Sequence, residues 1–239
     1  KIWGDELIVG NAGSKQRGGI LSVDTCWSVL DEELDTISTR PYDPFYLRPE
    51  DRKAFEEIIR PYWKGRSTYE QWLVQCPDFE ATLRDCGALY INRKSVRGWG
   101  ETTAGYSRVI KDGMEGIKAH IHKVLDTLDI TRPGDYEKIE YLKAMELAAD
   151  GISALGHRYA AEARKLAEAE PDEKRRKELL QIAETCDQVP EKPARTFREA
   201  IQSMYIYQTC IFMEQNAASY NPGRMDQYLY PFYKADIEA

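Results

Sequence analysis

Few residues able to do chemistry in this chain stand at spacings that would let them act together. His120 and His122 alternate on a helical face and point apart, so they lack the i, i+4 spacing of a paired metal site, and His157 stands alone. Cys26, Cys76, Cys86, Cys186 and Cys210 are widely spaced, odd in number and contain no C-x-x-C pair. That pattern argues against thioredoxin, zinc-ribbon and iron–sulfur chemistry and for reduced, mostly buried thiols. Gly10, Gly13, Gly18 and Gly19 lack phosphate-loop spacing, and no Lys-Ser/Thr pair follows them, which argues against nucleotide binding. No nucleophile–base pair suggests a hydrolase. The charge run from Glu173 to Glu178 reads as a solvated helix face. Arg224 and Asp226 read as architectural, polar groups that burial would oblige to pair.

The elements that must position any site are mostly helical. Residues 5–25 look extended, with Leu7-Ile8-Val9 as a short apolar strand, and Asp24 or Thr25 could cap a short helix through Leu34. A helix over 49–61 places Phe55, Ile58 and Ile59 on one face and ends at Pro61; another spans about 67–75 and Pro77 closes it. Tyr106, Val109, Ile110, Met114, Ile117 and Ile121 form a helical stripe reaching about Leu128. Asp135 caps a long alanine-rich helix to about Leu166, and Pro171-Asp172-Glu173 starts the next, which ends near Cys186. Residues 189–193 form a stiff connector. A last long helix begins at Arg195 or Thr196 and runs to Ile211 or Phe212, apolar nearly all round and therefore deep. The chain then turns at Asn221-Pro222-Gly223.

With 42% apolar residues the chain can build a sizeable core, so wholesale disorder is excluded. A net charge of −7 argues against a nucleic-acid surface, which needs concentrated Lys and Arg. No apolar run approaches the ~20 residues that span a bilayer, and no signal-peptide layout opens the sequence. These features point to a soluble, cytoplasmic setting without nucleic acid or membrane.

Four separated segments carry a family likeness: Glu6-Leu7-Ile8-Val9-Gly10-Asn11, Pro61-Tyr62-Trp63-Lys64-Gly65-Arg66, Pro193-Ala194-Arg195-Thr196-Phe197-Arg198-Glu199-Ala200, and Asn221 to Tyr233. In this order they resemble the glycyl radical enzymes, in the pyruvate formate-lyase-like branch with the glycerol and hydroxyproline dehydratases. The likeness covers nearly the whole chain. It implies a fold that is mainly α here, with a few short strands, as part of a ten-stranded α/β barrel. The ends of the chain suggest that residues 1–239 are the N-terminal portion of a longer pyruvate formate-lyase-type domain.

The resemblance also implies chemistry that these residues do not carry. In the family a glycyl radical oxidises a cysteine, whose thiyl radical takes a hydrogen from substrate. No Cys here is followed two positions on by Glu, and no Gly stands in an Arg-Val-x-Gly-Tyr-type motif. The catalytic Cys loop and the glycyl radical domain are thus expected outside this chain, which supplies scaffold and part of a pocket. No prosthetic group is implied. The radical would be installed by an S-adenosylmethionine iron–sulfur activating enzyme, and a homodimer is expected.

Two segments match family positions that line the pocket. Gly100 to Tyr106 resembles a Gly-His-x-x-Pro-Asp-Tyr stretch in which Glu101 replaces the His and Gly105 the Asp; Arg93, or Asn92 in a register one residue off, matches a pocket position eight residues earlier. Glu214 to Ser219 resembles an Asn-Gly-His-Ser run in which Ala218 replaces the His and Ser219 keeps the hydroxyl, with Asn216 holding the loop. Arg93 and Glu101 would suit a charged or strongly polar substrate: guanidinium binds carboxylate, sulfonate or phosphate, and carboxylate accepts from hydroxyls. The implied activity is cleavage of a C–O, C–N or C–S bond in a small polar substrate. The alternative is a truncated or non-catalytic helical scaffold that binds partners.

Overall fold

The computed structural model describes residues 2–11, 23–42, 44–75, 78, 82–83, 86–88, 103–214 and 221–238, without the side chains of 23–26, 29 and 214. They fall into two compact units. One comprises residues 1–18, 102–214 and 220–239, the other 19–101 and 215–219.

In the smaller unit, α1 (Val23–Glu33), α2 (Pro49–Ala54), a π turn (Phe55–Ile59), α3 (Arg60–Trp63) and α4 (Thr68–Gln75) follow one another. Trp27, Leu34 and Phe55 form the core, with Leu30, Leu47, Ile59 and Trp63 packed around them. Pro61 does not end the helix as expected. The Arg60 N–H reaches back to Phe55 O, and after this wide turn Pro61 falls in the first positions of α3, where a missing N–H costs nothing. Ser67 and Glu70 make a capping box on α4: the Glu70 N–H donates to Ser67 Oγ (3.3 Å) and the Ser67 N–H to the Glu70 carboxylate (3.3 Å). That carboxylate also accepts from Ser67 Oγ (2.6 Å), Gly65 N (2.9 Å) and Trp27 Nε1 (2.7 Å).

The larger unit is built from α5 (Tyr106–Leu125), α6 (Asp135–Ala169), α7 (Glu173–Gln188), α8 (Phe197–Glu214), α9 (Met225–Tyr228) and α10 (Tyr230–Glu238). Along α6 the buried residues Ala149, Ser153, Gly156, Ala160, Ala163 and Ala167 recur at steps of three and four. Small side chains on that stripe let α7 approach closely and seat Leu179, Ile182 and Cys186. Asp172 caps α7 by accepting from Arg175 N at 2.8 Å.

Gly113 breaks α5. Its φ of 65° and ψ of 175° are non-helical, and the connector after α7 fills the break. Met114 N–H donates to Pro190 O and Glu115 N–H to Glu191 O, both at 2.9 Å, while Ala194 N–H donates to Ile110 O at 2.9 Å. The backbone groups freed by the kink are thereby paired.

Among the described residues there is no strand and no sheet. The expected few short strands, and with them a share of a barrel wall, are corrected to an all-helical structure. Leu7-Ile8-Val9 is not a strand because its partner is a helix side chain: Val9 N–H donates to Gln202 Oε1 (2.9 Å) and Gln202 Nε2 donates to Val9 O (2.5 Å). The segment beginning at Gly223 leads into the short helix α9, and its Arg224 and Asp226, read as architectural, pair with each other in the open at 2.7 and 2.9 Å.

Candidate functional site

Helix α8 is where the family-like segments of the larger unit converge. Its start is fixed by Thr196 Oγ1 accepting from Glu199 N (3.2 Å), and by Glu199, which takes Arg195 N (2.6 Å) and the Arg195 guanidinium. The apolar face carries Ala200, Ile201 and Met204 against Leu229, Tyr228 and Phe232 of the last segment. Buried polar side chains interrupt an otherwise apolar surface. Gln202, 1% exposed, holds Val9; Thr209 Oγ1 donates to Gly10 O at 2.7 Å. From α6, Tyr159 O–H donates to Asn11 O at 3.2 Å.

The path of residues 9–11 requires glycine at 10. Its φ is +144°, and a Cβ there would lie 3.0 Å from the Tyr205 ring. Further upstream, Arg175 donates to Glu6 O (2.9 Å) and Trp3 O (3.1 Å) while pairing with Glu178. The charge run containing Arg175 is therefore only partly a solvated face.

Toward the C-terminal end of α8, Gln208 Oε1 accepts the hydroxyl proton of Tyr106, which is buried at the start of α5 with its ring edge-on to Tyr207. A Cβ built on Gly223 would sit 2.9 Å from the Thr103 methyl, so the turn at 221–223 rests against the residues leading into α5.

Arg93, Asn92, Glu101, Asn216, Ala218 and Ser219 all lie outside the described residues. The structure does describe the chain beside them. Thr103 and Tyr106 follow the first segment, Gln208 to Glu214 precede the second, and Gly223 follows it. Gly105 at the family's Asp position is exposed, with open space where a Cβ would point.

The remaining sequence candidates separate cleanly. His122 meets Glu146 at 2.7 Å, and His157 meets Glu191 at 3.1 Å and Asp187 at 3.7 Å, so neither histidine is isolated. No group of three or more metal-ligating side chains occurs among the described residues. Burial pushes the Cys186 thiol up to about 12 and the Cys210 thiol up to about 11, whereas Cys86 is exposed. No described helix is long and apolar enough to cross a membrane.

Sequence reasoning missed Gln202, Gln208, Tyr159 and Arg175 as holders of neighbouring segments. A signal was present: polar residues inside a helix that is apolar nearly all round must find partners when buried. The pairing of Ser67 with Glu70 was likewise legible as an S-x-x-E capping box.

A helical framework that grips extended and turn segments through buried polar side chains is the class these residues define. The profile of the family described as pyruvate formate lyase-like matches residues 1–239, and the chain belongs to that family. It is 37% identical over 245 residues to the isethionate sulfite-lyase of Bilophila wadsworthia (strain 3_1_6), covering 98% of this chain and 30% of the relative. It resembles the crystal structure of hydroxyproline dehydratase from Clostridioides difficile with trans-4-hydroxy-L-proline bound, with a TM-score of 0.86 and 34% identity over 100% of this chain and 30% of that one. A glycyl radical enzyme from Archaeoglobus fulgidus is similar at TM-score 0.82 and 29% identity, again over 100% of this chain and 30% of its own. The chain thus spans about three tenths of the relatives it matches.

Proposed function

We propose that this chain is the N-terminal portion of a glycyl radical enzyme of the dehydratase or lyase type. The whole enzyme cleaves a C–O, C–N or C–S bond of a small polar substrate after a thiyl radical abstracts hydrogen. The observation that carries this reading is likeness over nearly the entire chain to both a sulfite-lyase and a dehydratase. In this reading the reactive thiol and the glycyl radical lie on residues beyond these 239. The burial of Cys186 agrees, and Cys210 is partly buried against the same core. Arg93 binds an anionic group of the substrate, Glu101 accepts from its hydroxyl, Ser219 adds a hydroxyl contact and Asn216 holds that loop. Loss of imidazole at both family positions, in Glu101 and Ala218, disfavours glycerol itself.

The working unit is a cytoplasmic homodimer, activated by an S-adenosylmethionine iron–sulfur partner and holding no prosthetic group of its own. The test is anaerobic activation of the complete protein, with electron paramagnetic resonance for a glycyl radical and product analysis on isethionate and trans-4-hydroxy-L-proline. A glycyl doublet together with bond cleavage of one such polar substrate is expected. A polypeptide that ends at Ala239, forms no radical in the presence of the activase and binds neither compound would be a helical scaffold instead.

A further inference from the structure

We propose that Tyr106 and Gln208 form a strut that sets the spacing between the chain ends leading into the two substrate-binding segments. This makes them positioning residues for the reaction above, and the inference rests on that reading of function. Tyr106 is 1% exposed and stands at the first position of α5, just beyond the 93–101 segment. Gln208 lies on the last turns of α8, just before residues 215–219. The phenol hydroxyl donates to the side-chain carbonyl of Gln208, and the Tyr106 ring packs edge-on against Tyr207, with centroids 5.6 Å apart at 80°.

A second contact closes the same end of the unit. The Thr103 methyl lies so near Gly223 that a Cβ there would approach it to 2.9 Å, and Gly223 has a φ of +70°. The residues after the first segment, the helix before the second and the turn at Gly223 are therefore joined through one part-buried hydroxyl–amide bond and one methyl–glycine contact. Reacting groups must be held to about 0.5 Å, and a misplacement near 1 Å can cost on the order of 10²-fold in rate. Neither Tyr106 nor Gln208 needs to touch substrate for its loss to be felt.

Tyr106→Phe keeps the ring and removes the donor, Gln208→Leu removes the acceptor, and Gln208→Glu retains an acceptor. Amide hydrogen exchange on the full chain reads the strut without any activity. Exchange at residues 104–108 and 209–214 should quicken at least tenfold in the first two variants and return toward wild type in Gln208→Glu, while α6 and α7 stay protected. Unchanged exchange at those residues, or equal acceleration throughout the chain, overturns the strut. In the complete activated enzyme, with isethionate and trans-4-hydroxy-L-proline as probes, both disruptive variants should lower kcat by about tenfold to 10²-fold and leave KM within about twofold. A raised KM with kcat retained overturns the positioning role. A wild-type enzyme that activates yet converts no polar substrate refutes the functional reading instead, and the strut then stands or falls on the exchange rates alone.

Discussion

Gln202 stands beside Val9 as a neighbouring strand would, offering Oε1 to the Val9 N–H at 2.9 Å and Nε2 to the Val9 carbonyl at 2.5 Å. Both residues are almost fully buried. One side-chain amide thus satisfies both backbone groups of a residue that water cannot reach.

Gln202→Leu should destabilise the larger unit by about 2–4 kcal/mol, because it leaves a buried N–H and a buried C=O unpaired at about 1–3 kcal/mol each. Gln202→Glu restores the acceptor alone and sets a carboxylate against the Val9 carbonyl, so it should not rescue. Denaturant midpoints measure both; a Leu variant within about 0.5 kcal/mol of wild type would show that the amide is dispensable.

Gly113 and Gly134 both have positive φ, 65° and 81°, yet their surroundings differ. A Cβ at 113 would lie 2.5 Å from Lys192 C and 2.6 Å from Glu191 O, both backbone, whereas a Cβ at 134 meets nothing within 4 Å. Gly134→Ala should cost about 1 kcal/mol for the left-handed conformation, and Gly113→Ala several times that, since the connector cannot yield without giving up its bonds to α5. Equal melting-temperature losses for the two would contradict the wedged connector.

Thiol labelling should follow burial. At pH 8 the Cys186 and Cys210 thiols remain protonated, the first buried and the second partly so; iodoacetamide should therefore modify Cys86 first in the native chain, Cys210 slowly, and Cys186 only after unfolding. Peptide mass mapping before and after denaturant reads this directly. Rapid native alkylation of Cys186 would contradict the packing of α6 on α7.

Glu70 gives the smaller unit an acid limit. Burial alone would raise its pKa, but hydrogen bonds from Ser67, Gly65 and Trp27 outweigh it and bring the carboxyl below its ordinary value. A carboxyl depressed on folding stabilises above its unfolded pKa, about 4.3, and that contribution is lost as pH falls through the lower folded value. Trp27 fluorescence should therefore report loosening of this unit below about pH 4. In Glu70→Gln the baseline should already be lowered at pH 7 and much flatter through the acid range; an identical acid profile would remove Glu70 as the cause.

Arg93→Ala tests the proposed anion contact. If isethionate is turned over by the complete enzyme, its KM should rise about 10²-fold, the loss of a charge-assisted hydrogen bond of roughly 1.5–3 kcal/mol. An unchanged KM would take Arg93 out of the pocket.

The long helices were legible because apolar residues recur at three and four in the stripes from Tyr106 to Ile121 and along α6, and because Asp135, Asp172 and Thr196 stand at helix starts. The apparent strand at Leu7-Ile8-Val9 misled because short apolar runs fix exposure and extension, and leave open which chemical group answers the backbone. At Pro61 the local rule for helix breaking lost to a π turn, a register change invisible to periodicity. Arg175 looked like one of several solvated charges, since its bonds to Trp3 and Glu6 span a sequence distance that no local pattern encodes. The pocket residues Arg93, Glu101, Asn216 and Ser219 came from family likeness alone, and the described contacts concern their neighbours.

The hydrogen bonds that Gln202, Thr209, Tyr159 and Arg175 make with residues 3–11 end on main-chain atoms: the carbonyls of Trp3, Glu6, Val9, Gly10 and Asn11, and the Val9 N–H. Helices α6 to α8 therefore select a route rather than a spelling. At positions such as Leu7, whose side chain is 42% exposed, substitution should pass almost unnoticed, whereas a proline at Val9 would sever the docking without altering a single helix.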